Sequence, residues 1–361
     1  AIAGFGHQKV LIVSDKILNN LGVLRPLEAK LNELGVKVAI FDGVLPDPTF
    51  SITEACLQYY KTENCDSVLA VGGGSSIDVA KVIALGATNN KTPQQLVGIL
   101  KSRKPSSPLY AIPTTAGTGS EVTVGAVISD DKTHQKGLVL DPNVVPRMVA
   151  LDSGIMSGMP PKVTAETGMD ALTHAVEAYV SEIATTESDT YARAAVKLIF
   201  ENLRTTYTEP KNLVAREAMA LASHYGGLAL NQGGLGYVHG IAHQLGSHYG
   251  LPHGLSNAIV MPYVLEFSRP VIDKKLAELA RFAGLVTQET STSIAAQAFM
   301  TELKKLMSDV NIKSVVPKMN AQDFDDIMQS AFKEVHGTYA VPKYMTEEDC
   351  KQILFVISQQ V

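Results

Sequence analysis

Four of the chain's nine histidines fall within residues 236–254, GYVHGIAHQLGSHYGLPHG. His239 and His243 are four residues apart in a helical pattern, so their imidazoles project from one face of the helix. His253 follows in LPHG, where we expect a loop beyond the end of that helix. Neutral imidazole is the commonest side-chain ligand for protein-bound metals. The stretch therefore indicates a candidate metal site, provided that other ligands reach it.

A second pair of metal-competent side chains lies in GMDALTHAVEAYV, residues 168–180. Asp170 and His174 are also four residues apart on a helical pattern, and two such pairs converge if their helices face each other. A carboxylate with several imidazoles suits Fe(II) or Zn(II). A single histidine is more often structural or surface-exposed, and we interpret His224 and His248 in that way.

Two glycine-containing loops could bind a dinucleotide. In VGGGSSIDVAK, residues 71–81, a strand runs into a helix, and we expect the glycines to permit close backbone approach and positive φ before the helix N-terminus, which can bind a phosphate. The pattern is not G-x-G-x-x-G, and a strand-to-helix turn without a ligand is the alternative. In PTTAGTGSEVT, residues 113–123, hydroxyl and amide donors again follow a strand, including Ser120.

Asp42 ends the strand pattern VAIFDG. A carboxylate there can accept hydrogen bonds from the adenosine ribose and would repel a 2′-phosphate, which favours NAD over NADP. It precedes the glycine loop by about 30 residues, whereas the usual acid follows it. Turn initiation in DGVLPDP is an equally good interpretation.

The elements that would position these residues fall into two classes. Strand patterns (9–15, 36–43, 67–74, 109–115, 125–130 and 147–152) alternate with helical ones (24–35, 51–64 with a serine cap, and 76–87), which predicts a doubly wound, Rossmann-like α/β domain over residues 1–158. Helical patterns at 166–181, 189–203, 213–229 and 272–284 then predict an all-α domain over residues 159–361. Pro160 and Pro161 mark the boundary.

Bulk properties narrow the possible partners. The net charge of −5 with no basic block excludes an electrostatic footprint for nucleic acid or an anionic membrane surface, which leaves small molecules. Three widely spaced cysteines, Cys56, Cys65 and Cys350, fit a reducing compartment, so we expect the cytoplasm. No apolar run approaches about 18 residues, so no membrane span is expected.

Four stretches, GGGSSIDVAK, PTTAGTGSEVT, TGMDALTHAVEAYVS and LGYVHGIAHQLGSHYGLPHGLSNAIVMP, make the chain similar to the iron-containing alcohol dehydrogenase family over nearly its whole length. The resemblance implies a dehydroquinate synthase-like fold, reversible NAD(H)-linked hydride transfer between alcohol and aldehyde, Fe2+ or Zn2+, and a homodimer or larger homo-oligomer. It implies metal ligation by Asp170, His174, His239 and His253, with His243 beside the metal as the candidate catalytic residue, for moving a proton or contacting the substrate and the nicotinamide. The implied cofactor-binding residues are Asp42, Gly72, Gly73, Gly74, Ser75, Asp78, Thr114, Thr115, Thr118 and Lys136.

The resemblance also implies the substrates, which we expect to be short primary alcohols or diols, of the ethanol or 1,3-propanediol type, and their aldehydes. Lactaldehyde reduction is the near alternative. A dehydroquinate synthase-like lyase would need a basic phosphate pocket, and no Lys/Arg cluster accompanies the metal motifs; a non-catalytic nucleotide-binding protein would not need four metal ligands. Residues 335–349, VHGTYAVPKYMTEED, replace the Cys-containing, Asn-Pro-Arg-like loop common in the family, which weakens inference about the substrate.

Overall fold

A computed structural model describes residues 2–133, 135–316 and 318–358. The chain forms two compact units: an α/β unit, Ala1–Thr115 with Ser120–Met156, and a helical unit, Ala116–Gly119 with Ser157–Val361. The units therefore change at residues 156/157, and residues 116–119 of the second glycine loop belong to the helical unit.

The α/β unit alternates short strands with helices. Its strands are β1 (Lys9–Val13), β2 (Lys37–Phe41), β3 (Ser67–Gly72), β4 (Gly98–Ile99), β5 (Leu109–Pro113), β6 (Gly125–Ser129), β7 (Lys136–Leu140) and β8 (Met148–Val149). Its helices are α1 (Lys16–Asn20), α2 (Arg25–Glu33), α3 (Phe50–Thr62), α4 (Gly74–Asn89), α5 (Pro93–Leu96) and α6 (Ser153–Met156).

Five parallel strands form the main sheet in the order β2-β1-β3-β5-β8. The predicted doubly wound α/β fold is thus confirmed. Residues 10–13 of β1 and all of β3 are buried, as expected for apolar strands covered on both faces. Parallel strands end at one edge of the sheet, so the chain just after β2, β3 and β5 carries Asp42, Gly73 and Thr114 to that edge.

Three local predictions differ from the structure. Residues 125–130 do form a strand, β6, but it pairs antiparallel with β7 in a separate sheet of order β4-β7-β6. The predicted strand 147–152 is only the two-residue β8. Helix α3 is capped by Thr49, whose Oγ1 accepts from the Ile52 amide, so the serine cap was wrong.

The helical unit contains α7 (Pro161–Val180), α8 (Thr186–Thr208), α9 (Leu213–Gly233), α10 (Tyr237–Tyr249), α11 (His253–Phe282), α12 (Thr292–Asp309), α13 (Phe324–Val335) and α14 (Glu347–Ser358). Pro161 occupies the first turn of α7, where its missing N–H costs nothing. Helix α7 packs against α8, α9 and α11 and is buried along residues 168–180. Among the described residues, no helix combines the length and apolarity needed to cross a membrane.

Candidate functional site

Helix α7 carries three polar residues on one buried face, at positions i, i+4 and i+7: Asp170, His174 and Glu177. Each has at most 5% of its surface exposed. Buried ionisable side chains need partners to offset their desolvation. These partners come from α10 and from the start of α11.

Asp170, His174, His239 and His253 each offer one ligand atom, and the four atoms lie within 4.8 Å of one another. The His253 Nε2 lies 3.4 Å from Asp170 Oδ1, and the rings of His174 and His239 stack with centroids 4.9 Å apart. The structure therefore brings together all four ligands expected from the resemblance.

The chemistry of this cluster fits a divalent cation. The Asn257 Nδ2 lies 2.8 Å from Asp170 Oδ1 and 3.1 and 3.2 Å from the Nε2 atoms of His239 and His253. An amide has only two hydrogens, so the Asn257 amide cannot donate to all three atoms at once. Burial, followed by the neighbouring histidines, holds the pKa of His239 well below its usual value, which keeps it in the neutral form that a metal requires.

Glu177 fixes the orientation of His239. Its Oε2 lies 2.6 Å from His239 Nδ1 and accepts from the Gly236 amide, while Oε1 accepts from the Val238 amide. Burial raises the pKa of Glu177, and the hydrogen bonds from the Val238 and Gly236 amides act in the opposite direction. The carboxylate thus leaves the other ring nitrogen of His239 directed at the cluster, the usual arrangement behind a metal-bound histidine.

His253 is the first residue of α11, so the prediction that it lies on a loop was wrong. Pro252 is the N-cap of α11. The stretch LPHG therefore leads into a helix, although its sequence is typical of a loop. A Cβ at Gly254 would lie 2.2 Å from the Glu166 carbonyl oxygen and 3.2 Å from Asp170 Cβ. Glycine is therefore what lets the start of α11 approach α7.

His243 lies beside the four-residue cluster. Its ring stacks on that of His253 with centroids 5.2 Å apart, and its Nδ1 lies 2.7 Å from Glu334 Oε1 on α13. His248, by contrast, contacts Asp326 and the Gln244 carbonyl, and His224 packs against Tyr225. Neither belongs to the cluster.

The first glycine loop lies where β3 meets α4. Gly72 ends β3, Gly73 is the N-cap of α4 with φ −75°, and Gly74 begins the helix. The expectation of positive φ here was wrong; close approach is what requires glycine, because a Cβ on Gly72 would lie 2.5 Å from Ser76 Oγ. No side chain caps this helix N-terminus, so it suits an anion, and Ser75 lies in its first turn.

The start of the second loop lies against the first glycine loop. The Thr114 amide donates to the Gly72 carbonyl at 3.0 Å, and Thr115 is the side chain that a Cβ on Gly73 would meet. Thr118 lies in the 116–119 segment of the helical unit, where a Cβ on Gly119 would lie 2.7 Å from Gly227 Cα.

Asp78 and Lys81 on α4 hold residues 120–127 in place. Asp78 accepts from Ser120 Oγ and from the Val127 amide, so both its oxygens have partners within the α/β unit. The fully buried Lys81 ammonium donates to the carbonyls of Thr123 and Gly125 and to Thr123 Oγ1. Burial lowers the pKa of Lys81 to about 8.

The other two expected cofactor residues have partners away from the glycine loop. Asp42 follows β2 directly, and its Oδ2 accepts from Asn19 Nδ2 at 2.7 Å. Lys136 begins β7 and contacts Asp47 and Ser129.

Sequence reasoning missed Glu177, Asn257, Glu334 and Lys81. Helical spacing could have indicated two of them. Glu177 shares the α7 face of Asp170 and His174, and Asn257 is four residues after His253. Nothing local marks Glu334, because its partner is 91 residues away in the chain.

Comparison with known proteins places both units in one family. The model described as "Iron-containing alcohol dehydrogenase" matches residues 1–153, and that of the "Fe-containing alcohol dehydrogenase family, C-terminal" matches residues 164–357. The NAD-dependent methanol dehydrogenase of Bacillus methanolicus is 38% identical over 351 residues, 97% of this chain and 92% of that protein. The lactaldehyde reductase of Escherichia coli K12 is 36% identical over 352 residues, 96% of this chain and 91% of that protein.

A crystal structure of a 1,3-propanediol oxidoreductase superposes with a TM-score of 0.92 at 37% identity, covering 98% of this chain and 92% of that one. Sequence and fold agree over both units. The chain therefore belongs to the iron-containing alcohol dehydrogenase family.

Proposed function

We propose that this alcohol dehydrogenase interconverts short primary alcohols or diols, of the ethanol or 1,3-propanediol type, with their aldehydes, using NAD(H) and a divalent iron or zinc ion held by Asp170, His174, His239 and His253. The observation that carries the proposal is the convergence of these four side chains within 4.8 Å. Lactaldehyde reduction is the near alternative, and family membership sets the lyase alternative aside.

The dinucleotide would be held mainly by residues of the α/β unit. The free N-terminus of α4 at Gly73 and Gly74 suits the pyrophosphate, and Thr114 and Thr115 adjoin it. Asp42 would accept from the ribose hydroxyls and repel a 2′-phosphate. The remaining proposed contacts are Gly72, Ser75, Asp78, Thr118 and Lys136.

In the reaction, the bound metal would polarise the carbon–oxygen group while the nicotinamide exchanges a hydride with the carbon. The protein's own groups orient the substrate and move the proton. His243 is the candidate for that proton, because its ring contacts His253 and its Nδ1 is engaged by Glu334, which leaves Nε2 for the substrate side.

The proposal extends to a cytoplasmic homo-oligomer. Three buried free cysteines fit a reducing compartment, and the oligomer rests on the family resemblance. Light scattering of the purified chain tests the second point: a monomer at working concentration would contradict it.

The direct test is NADH oxidation with acetaldehyde, 3-hydroxypropanal and lactaldehyde, on metal-free protein reconstituted anaerobically with Fe(II) or Zn(II). We expect metal-dependent turnover that His253→Ala abolishes and His248→Ala leaves unchanged. His248→Ala is the matched control because it lies in the same stretch but pairs with Asp326. Inactivity of the wild type with every aldehyde and both metals would reject the proposed substrates.

Cofactor choice has its own test. Asp42→Gly removes the carboxylate, so the ratio of kcat/KM with NADPH to that with NADH should rise. If the ratio does not change, Asp42 lies away from the ribose and serves the turn and its contact with Asn19.

A further inference from the structure

A second carboxylate–imidazole pair lies one turn along α10 from the Glu177–His239 pair. His243 Nδ1 is 2.7 Å from Glu334 Oε1, and the two side chains are 22% and 26% exposed. Glu334 also accepts from Gln244 Nε2 at 3.2 Å and from the Tyr339 hydroxyl at 2.8 Å. The carboxylate therefore has three donors, one of them the imidazole.

Tyr339 reaches Glu334 through a tight turn after α13. Gly337 adopts φ +79°, where a side chain would be strained, and the Tyr339 amide donates to the Val335 carbonyl at 2.9 Å. This folds the chain back so that the phenol lies over a residue five positions earlier. Burial and Glu334 raise the pKa of Tyr339, so its hydroxyl remains a donor.

The consequence concerns which nitrogen of His243 carries hydrogen. An ionised carboxylate can only accept, so the Nδ1 facing it carries the hydrogen and the neutral ring keeps its lone pair on Nε2. Without the acceptor, both tautomers and several ring orientations would be populated. Only the Nε2 lone pair can take a proton on the side away from Glu334.

We propose that Glu334 and Tyr339 are positioning residues that fix the tautomer and ring orientation of His243 for proton exchange with the substrate. This inference rests on the proposed function. In alcohol oxidation the hydroxyl proton passes to His243 Nε2, directly or through a water, while the carbon-bound hydrogen leaves with its electron pair for NAD+; in aldehyde reduction NADH returns the hydride and Nε2 returns the proton.

The structure offers a matched control between the same two helices. Asp326 on α13 pairs with His248 Nε2 on α10 at 2.9 Å, but this pair is outside the metal cluster. Asp326→Ala therefore removes a carboxylate–histidine contact of the same kind without touching His243.

The test compares Glu334→Ala, the isosteric Tyr339→Phe and Asp326→Ala with the wild type. In zinc-loaded protein labelled with 15N-histidine, the His243 signals, assigned through His243→Gln, should report hydrogen on Nδ1 in the wild type and mixed tautomers in Glu334→Ala. The kcat of aldehyde reduction should fall on the order of 10- to 100-fold in Glu334→Ala and less in Tyr339→Phe. The KM for NADH and the zinc content should stay the same in all the variants. The kcat of Asp326→Ala should equal that of the wild type.

An unchanged tautomer or an unchanged kcat in Glu334→Ala would overturn the inference, as would loss of zinc in step with kcat. Failure of the proposed function looks different: the wild type itself would not turn over. The NMR measurement, which needs no turnover, would then decide the positioning of His243 alone.

Discussion

Glu177 combines burial with three hydrogen-bond donors, one of them the imidazole of a proposed metal ligand. Replacing it by glutamine keeps the volume but puts a donor amide where only acceptors are tolerated. We expect Glu177→Gln to weaken zinc binding about 10- to 100-fold, the usual effect of losing such a partner. Competition with a chromophoric chelator measures it.

Glu166→Gln is the control for that prediction, because Glu166 lies on the same helix and its carboxylate pairs with the exposed Lys162 instead of a histidine. Equal zinc affinity in Glu177→Gln and wild type would remove Glu177 from the metal site.

Burial of Lys81 predicts that the stability of the protein depends on pH. Its pKa is about 8 in the folded protein against an ordinary 10.5, so between these values the unfolded chain binds a proton that the folded chain does not. Stability from this group therefore rises with pH across that window, by up to about 1.4 kcal/mol per pH unit. The denaturant midpoint of wild type minus that of Lys81→Met should increase from pH 8 to 10.

The control is Lys61→Met, which makes the same substitution at an exposed lysine of α3. A flat difference for Lys81→Met would show that the Lys81 ammonium remains charged throughout.

Among single residues, the sequence predicted the site residues that are related by helical spacing. Asp170 with His174, and His239 with His243, are recognisable because helical periodicity puts each pair on one face. Glu334 and Lys81 could not be predicted, because their roles depend on which helix or loop packs opposite them.

Among the elements, the contact between α7 and the start of α11 depends on Gly254. Alanine there would place a Cβ 2.2 Å from the Glu166 carbonyl, and backbone cannot yield as a flexible side chain does. We expect Gly254→Ala to cost about 1–3 kcal/mol of stability and to weaken zinc binding, because His253 moves with the helix. Thermal unfolding with and without zinc measures both effects.

Gly246→Ala on α10 is the matched substitution, since its Cβ would meet only the Leu251 carbonyl at 3.6 Å, an ordinary contact. It should be neutral or stabilising by about 0.5–1 kcal/mol. Similar losses in both variants would show that the glycine effect is helical propensity in general.

Element prediction failed where local sequence and tertiary context disagree. Strand β7, KGLVL, begins with lysine and glycine and was not predicted; pairing with β6 along its whole length creates it. Helix α11 runs through Pro262 and Pro270 for 30 residues and so begins well before the helical pattern predicted at residues 272–284. Packing of its buried face against α7 and α12 outweighs both prolines.

For the molecule as a whole, the two units should respond to different ligands. Zinc should slow hydrogen exchange in α7, α10 and the first turns of α11, whereas NADH should slow it in β3, the start of α4 and residues 113–115. A ligand at 100 times its Kd stabilises the segment that binds it by about 2.7 kcal/mol. Exchange measured by mass spectrometry checks this, and protection by zinc confined to α4 would contradict the assignment.

Of the four proposed ligands, three lie within helices, while His253 begins α11 after Gly250 (φ +63°), Leu251 and Pro252, with 41% of its side chain exposed. Helix ends open far more often than buried interiors. Release of the ion should therefore begin with opening of the first turn of α11 and not with unfolding of α7, so that the ion exchanges while the rest of the helical unit stays folded.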